Sequence, residues 1–243
     1  MRTANPTLRE STFTELPATA NGMTISGTVN KTAMLLFVVV CGAAYTWDLF
    51  RQSPQSASAW MTGGAIGGFV VCLVTVFKKE WSPFTAPLYG ALQGLFLGGL
   101  SAYYETQFNG IVLQAIGLTF GTLFGLLLAY RSGLIRATGK FRMGVVAATG
   151  GIAVVYLVSF VLGLFGKNIP YIHQSGWFGI GFSLFVVVIA AMNLVLDFDF
   201  IEQGAEHGAP KYMEWYAAFG LMVTLIWLYV EILRLLAKIS RRR

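Results

Sequence analysis

The sequence FSLFVVVIAAM at residues 182–192 continues directly into NLVLDFDFIEQGAEHGAP at residues 193–210. The first stretch has the uninterrupted apolar character of a membrane span. The second stretch carries four carboxylates, although the whole chain has only eleven acidic residues. These four acids mark either a functional centre or an ordinary solvated loop: Asp197, Asp199, Glu202 and Glu206.

The composition identifies the broad class of protein. Hydrophobic residues make up 56% of the 243 residues, only 12% are charged, and the mean hydropathy is +0.65. Soluble domains usually carry about 25% charged residues, so the chain is predicted to be a polytopic membrane protein. Its net charge of +6 comes from basic residues beside span ends, which suits attraction to anionic lipid. No soluble module is present to bind nucleic acid.

Seven apolar segments approach the roughly 20 residues that a helix needs to cross the hydrocarbon core. We expect an all-α, seven-transmembrane-helix bundle over residues 31–243, and a mostly disordered, uncleaved tail over residues 1–30. The alternating ten-residue strands of a membrane β-barrel are not seen. The predicted spans are 32–50, 59–77, 84–104, 109–130, 143–165, 175–197 and 215–237.

The distribution of Lys and Arg predicts an N-terminus in the cytoplasm. With that orientation, the outer loops contain only Arg51 and Lys167. The basic C-terminus, with Arg234, Lys238 and residues 241–243, then lies outside if all seven segments span. The alternative is a re-entrant late segment with a cytoplasmic C-terminus; the early loops favour seven spans.

Glycines repeat at four-residue spacing within the predicted spans, which lets helix backbones approach closely. We expect them to pack helices within one bundle, and homodimerisation through the second or fourth span is the alternative. The expected partners are therefore the lipid bilayer and a membrane protein, with the chain a monomer or weak homo-oligomer. The glycines concerned are Gly63 with Gly67, Gly64 with Gly68, Gly94 with Gly98, and Gly117, Gly121 and Gly125.

The residues required by known classes of membrane enzyme are missing from the predicted spans. A serine protease needs a base beside its nucleophile, but His173 and His207 both fall in loops. No HExxH motif of a metalloprotease is present. A retinal protein needs a lysine within a span, and none lies there. The sequence therefore predicts no enzymatic activity and no cofactor.

Ionisable residues at membrane depth are costly and are therefore the first candidates for a site. Glu105 lies at the end of span three and Asp48 at the end of span one. Glu231 lies deeper, about two-thirds along span seven, with Arg234 at the i+3 position for an ion pair on one helix face. Arg234 could then extend towards the membrane surface.

The acids after span six fall on different faces if the helix continues past Leu196. Asp199, Glu202 and Glu206 then share one face, whereas Asp197 points about 200° away from Asp199. Asp197 is therefore expected to face the bundle and the other three to face water. A buried aspartate that meets a second carboxyl shares protons with it. Such a pair makes a pH-sensitive latch or an oxygen site for a hard cation such as calcium.

Three stretches resemble the Bax inhibitor-1/YccA family, in particular its bacterial Bax inhibitor-1-like branch. They are LDFDFIEQGAEHGAPKYMEWYAAFGLMVTLIWLYVEILRLL at 196–236, MTISGTVNKT at 23–32 and YYETQFNGIVLQAIGLTFGT at 103–122, together with Asn5-Pro6. The resemblance implies a seven-helix bundle whose last helix is enclosed by the others, inserted in the plasma (inner) membrane of a bacterium. It also implies a pH-dependent calcium leak, closed by a pair of aspartates on the last two helices.

The first family aspartate matches Asp197, in an LxLDxD setting. The second falls at Thr224, so Glu214 and Glu231 are the available substitutes, with Asp199 next to the site.

We keep two hypotheses for the function of the protein. In the first, Asp197 and a carboxyl of span seven control a calcium leak, with Ca²⁺ as the carried or bound ion and Arg234 and Glu105 beside the path. In the second, the protein conducts nothing and regulates a protease or a stress response through helix contacts. A secondary transporter is less favoured, because no internal repeat is visible.

Overall fold

The computed structural model describes residues 22–165 and 176–242, and this part of the chain contains helices and no strand. Seven α-helices follow one another, and a short 3₁₀ turn at Lys79–Trp81 lies between the second and the third. The helices are α1 Ile25–Gln52, α2 Pro54–Phe77, α3 Ser82–Gln107, α4 Ile111–Arg131, α5 Gly139–Leu164, α6 Trp177–Glu206 and α7 Met213–Ser240.

Six of the described helices are long and apolar enough to cross a membrane, and α3 is the exception. Pro83, Pro87 and Gln93 lower the hydropathy of α3, as do its many glycines and tyrosines. This helix packs against both α1 and α2, and ten of its residues are buried. A helix enclosed by protein needs small residues for close packing more than large apolar residues facing lipid.

Local sequence explains where several helices begin. The Thr24 hydroxyl accepts a hydrogen bond from Gly27 N at 3.0 Å and caps α1, as short polar residues do at helix starts. Residues 25–30, predicted to belong to the tail, are therefore helical. Residues 22–24 of the predicted tail are described and precede the helix, and residues 1–21 lie outside the described part. Ser53 caps α2 immediately before Pro54, and Gly208, with φ +63°, follows the end of α6.

The chain divides into two compact units. In the described residues, the first unit comprises 22–109 and 199–223, and the second comprises 110–165, 176–198 and 224–242. The last two helices are shared, since α6 and α7 each contribute residues to both units.

Glycines bring α3 close to its neighbours in the first unit. A Cβ at Gly98 would lie 2.1 Å from the Ala43 carbonyl oxygen, and one at Gly94 would lie 2.4 Å from that of Val39. A Cβ at Gly64 would lie 2.5 Å from Leu92 O. The predicted packing role is confirmed at these three glycines. In the second unit, by contrast, no atom of another described segment lies within 4 Å of a Cβ at Gly117, Gly121 or Gly125.

The second unit contains an apolar cluster between α5 and α6. Ile152, Val186 and Ile189 are buried and form its centre. Five partly buried side chains pack around them: Ala148, Tyr156, Phe182, Met192 and Trp227.

Candidate functional site

Three carboxylates of the last two helices are buried. Asp197 and Glu214 are 0% exposed, and Glu231 is 1% exposed. Removing a carboxylate from water is costly unless it is paired, hydrogen-bonded or protonated. These three acids are therefore costly groups within the helices, as is the buried Arg142 of α5.

The acids around Asp197 divide as their helical spacing predicts. Helix α6 continues to Glu206, so all four acids of the opening stretch are helical. Asp197 is buried, whereas Glu202 and Glu206 are exposed. Asp199 is half-buried and accepts a hydrogen bond from Gln203 Nε2 at 2.8 Å.

Glu214 lies in the first turn of α7 and is held by groups from the start of α1. Its Oε1 accepts hydrogen bonds from Thr24 N at 2.9 Å and from Thr24 Oγ1 at 2.8 Å. Lys31 Nζ pairs with Oε2, and Lys211 Nζ lies 2.7 Å from Oε1. Gly27 makes room for the carboxylate, because a Cβ there would lie 2.1 Å from Oε1. The carboxylate has cations or hydrogen-bond donors on both oxygens.

Glu231 belongs to the second unit and has a less complete set of partners. Tyr156 of α5 donates its hydroxyl hydrogen to Oε1 at 2.9 Å, and Arg234 Nη1 lies 3.0 Å from the same oxygen. The predicted ion pair between Glu231 and Arg234 is thus confirmed, and Arg234 also lies over the Tyr156 ring. Among the described residues, the buried Oε2 of Glu231 has no hydrogen-bond partner.

The basic end of α7 packs against the start of α6 within the second unit. Lys238 Nζ donates to Ser183 Oγ at 2.8 Å and to Gly179 O at 3.1 Å. The Arg242 guanidinium lies 3.6 Å from the centre of the Trp177 ring. The arginine of the ion pair, Arg234, is 45% exposed, and its extension towards the membrane surface stays a prediction.

The structure adds a polar pair that sequence reasoning missed. Asn193 of α6 is buried, and its Nδ2 donates to Thr149 Oγ1 of α5 at 2.9 Å. Asn193 lies one helical turn before Asp197, on the same face. Thr224 of α7 is also buried. An asparagine in an apolar stretch was the available signal for this pair.

The remaining predicted residues lie nearer the helix ends. Glu105 is half-buried close to the end of α3, and Asp48 is exposed and accepts a hydrogen bond from Gln52 Nε2 at 2.6 Å. Within residues 22–165 and 176–242, no group of three or more His, Cys, Asp or Glu side chains is arranged to hold a metal ion. His207 is exposed, and His173 lies outside the described residues.

The sequence from residue 5 to residue 241 matches the family described as "Bax inhibitor 1 like". The chain belongs to this family. The match covers nearly the whole chain and confirms the predicted family membership. Together with the six apolar helices, it identifies an integral membrane protein in contact with the lipid bilayer. A comparison with curated proteins gives no match.

Proposed function

We propose that this family member is a pH-responsive cation leak pathway, with calcium as the carried ion, controlled by Asp197 and Glu231. The burial of these two acids on the last two helices, within one unit, carries the proposal. Glu231 replaces the second family aspartate in function but not in position, which Thr224 occupies. Glu214 is excluded from this role, because both of its oxygens are already paired.

The chemistry of a buried acid supports the response to pH. A carboxyl in a low-dielectric site changes its charge only when its surroundings compensate for it. Tyr156 and Arg234 both bind Oε1 of Glu231, so the second oxygen remains available for a proton or a cation. Protonation would release Arg234 from its ion pair and change the local charge in the second unit. The proposed role involves no chemical reaction.

Contacts within the first unit support seven spans with both α3 and α6 crossing. Ser82 Oγ, at the start of α3, donates to Tyr212 O at 3.0 Å, just before α7. The two residues therefore lie at the same membrane face, and an even number of helices must cross between them. Four helices, α3 to α6, lie between them in sequence. If α3 did not cross, three would remain and the two residues would lie on opposite faces.

Counting helices in the same way relates the start of α1 to the start of α7. Thr24 precedes α1 and hydrogen-bonds Glu214, and six helices lie between the two residues. Seven crossings put the C-terminus on the face opposite to the N-terminus. Lys238 and Arg234 already have partners in the second unit. They therefore influence the orientation of the chain in the membrane less than unpaired cations of a loop would. We therefore propose a cytoplasmic N-terminus in a bacterial inner membrane.

Reconstitution in liposomes with an internal calcium dye tests the function. We expect calcium entry that depends on pH in the wild type, and a changed pH response in Asp197→Asn. Glu202→Gln is the matched control, because it neutralises an exposed acid of the same helix. Entry no faster than in empty liposomes would refute the proposed leak.

A non-conducting interaction protein that regulates a protease or stress response is the second candidate. The open face at Gly117, Gly121 and Gly125 favours it, since small residues at this spacing suit a helix from another membrane protein. Co-purification of a membrane protein in equal amount, lost when Gly121 is changed to leucine and accompanied by no calcium flux, would support this alternative. A monomer that conducts would exclude it.

A further inference from the structure

The facing sides of α5 and α6 carry polar and apolar residues in a regular order. On α5, Thr149, Ile152 and Tyr156 follow at spacings of three and four residues, which keeps them on one helix face. On α6, Val186, Ile189 and Asn193 follow in the same way. Along α5 this face passes from polar to apolar and back to polar, and along α6 it passes from apolar to polar.

Two polar layers result, at different depths of the second unit. The first is the hydrogen bond between Thr149 and Asn193 at 2.9 Å, with Asp197 one turn further along α6. The second is the group formed by Tyr156, Glu231 and Arg234, joined by contacts of 2.9 and 3.0 Å. Seven residues of α5 separate Thr149 from Tyr156, a rise of about 10 Å along the helix axis.

The apolar cluster fills the space between the two layers. Ile152 lies between Thr149 and Tyr156 on α5, and packs with Val186 and Ile189. The carbonyl oxygen of Ile189 accepts a 2.8 Å hydrogen bond from Asn193 Nδ2, so the first layer directly adjoins the cluster. Trp227, one turn before Glu231 on α7, packs against the cluster from the side of the second layer.

We propose that Ile152, Val186 and Ile189 form a hydrophobic gate that separates two hydrated polar layers and holds the pathway closed. An apolar constriction excludes water, and an ion without its hydration shell or replacement ligands cannot enter. Two acids flank the gate, Asp197 on one side and Glu231 on the other. This inference rests on the proposed leak and assigns the barrier to apolar side chains.

A change of one buried valine to threonine tests the gate with little change in volume. Val186→Thr places a hydroxyl inside the cluster, which favours entry of water. The matched control is Val195→Thr on the same helix, since Val186 is 0% exposed and Val195 is 1% exposed. Nine residues separate them, so they point to opposite faces of α6.

We expect Val186→Thr to increase calcium entry into liposomes about tenfold, which corresponds to about 1.4 kcal/mol off the barrier. Val195→Thr should leak like the wild type. If Val186→Thr and the wild type pass calcium at the same rate, the gate is wrong. The proposed function would still stand, because the wild type would still leak. If the wild type passes no calcium and Val186→Thr does, the gate is supported and the proposed calcium leak of the wild type is refuted.

Reaction of introduced cysteines with a charged thiol reagent provides a test that needs no ion flux. In a background with Cys41 and Cys72 changed to serine, we expect Thr149→Cys to be modified only from the membrane side where α5 begins. Ser159 lies three residues beyond Tyr156 on the same face of α5, so Ser159→Cys should be modified only from the opposite side, and Ile152→Cys from neither. Rapid modification of Ile152→Cys would overturn the gate. So would the absence of modification at all three positions, because no hydrated layer would then flank the cluster.

Discussion

The two ends of α7 each contain a buried glutamate, and the surroundings of the two differ. Glu214, in the first turn, meets Lys31, Lys211 and Thr24, and both of its oxygens have partners. Glu231, 17 residues later on the same helix, has Tyr156 and Arg234 on one oxygen only. Glu214 pairs with two lysines, whereas Glu231 pairs with one half-exposed arginine and also interacts electrostatically with Lys238.

This difference separates a structural acid from one that is suited to a switch. A carboxylate with a full set of partners joins helices and changes its charge only if the fold is disrupted. A carboxylate with an unpaired oxygen can bind a proton or a cation while its other contacts persist. Burial alone did not distinguish the two residues, since both are almost fully enclosed.

The largest effect is expected when the structural acid loses its charge. Glu214→Gln leaves Lys31 without its buried partner, and should lower the free energy of unfolding by about 3 kcal/mol. Denaturant unfolding of the protein in detergent measures this change. Glu202→Gln, an exposed acid of α6, is the control and should change stability by less than about 0.5 kcal/mol. Similar losses in both variants would contradict the structural role of Glu214.

The two lysines that hold Glu214 should contribute unequally. Lys31 is 17% exposed and Lys211 is 57% exposed. Lys31→Met, which retains most of the apolar stem, should therefore cost about 2 kcal/mol, and Lys211→Met less than about 1 kcal/mol. A double-mutant cycle with Glu214→Gln isolates each coupling. A stronger coupling for Lys211 would reverse this assignment.

The hydroxyl of Tyr156 should contribute less to the free energy of unfolding than the charge of Glu214 or of Lys31. Tyr156→Phe removes one hydrogen bond to Glu231 and retains the ring beneath Arg234, so we expect a loss of about 1 kcal/mol. Thermal unfolding against Tyr45→Phe, an exposed tyrosine of α1, provides the comparison. An unchanged melting temperature would show that Arg234 alone satisfies the carboxylate.

The clearest change in function is expected at Glu231 itself, with a loss of stability no larger than that of Tyr156→Phe. Glu231→Gln retains an acceptor for Tyr156 and loses the ion pair with the half-exposed Arg234, at a cost of about 1 kcal/mol. The pH dependence of calcium entry should nevertheless weaken, as in Asp197→Asn. If Glu231→Gln unfolds like Glu214→Gln and retains the wild-type pH response, the contrast between the two acids is wrong.

Much of the fold could be predicted from the sequence, because lipid-facing helices need long apolar runs. All seven predicted segments correspond to helices in the described residues. The spacing of Asp197 against Glu202 and Glu206 also predicted which acid is buried, since a continuous helix fixes the angle between residues. The ion pair of Glu231 with Arg234 followed from the same periodicity. Each of these predictions depends on neighbours along one helix.

Contacts between helices were decided by the tertiary structure alone. Lys31 and Thr24 reach Glu214 across more than 180 residues of sequence, and Tyr156 reaches Glu231 from another helix. Hydropathy reports how far a segment avoids water, and periodicity reports which residues share a face. Neither specifies which faces meet. The sequence alone determined a helical membrane protein with one buried acid on α6, and only the packing of helices determined that Glu214 is paired on both oxygens and Glu231 on one.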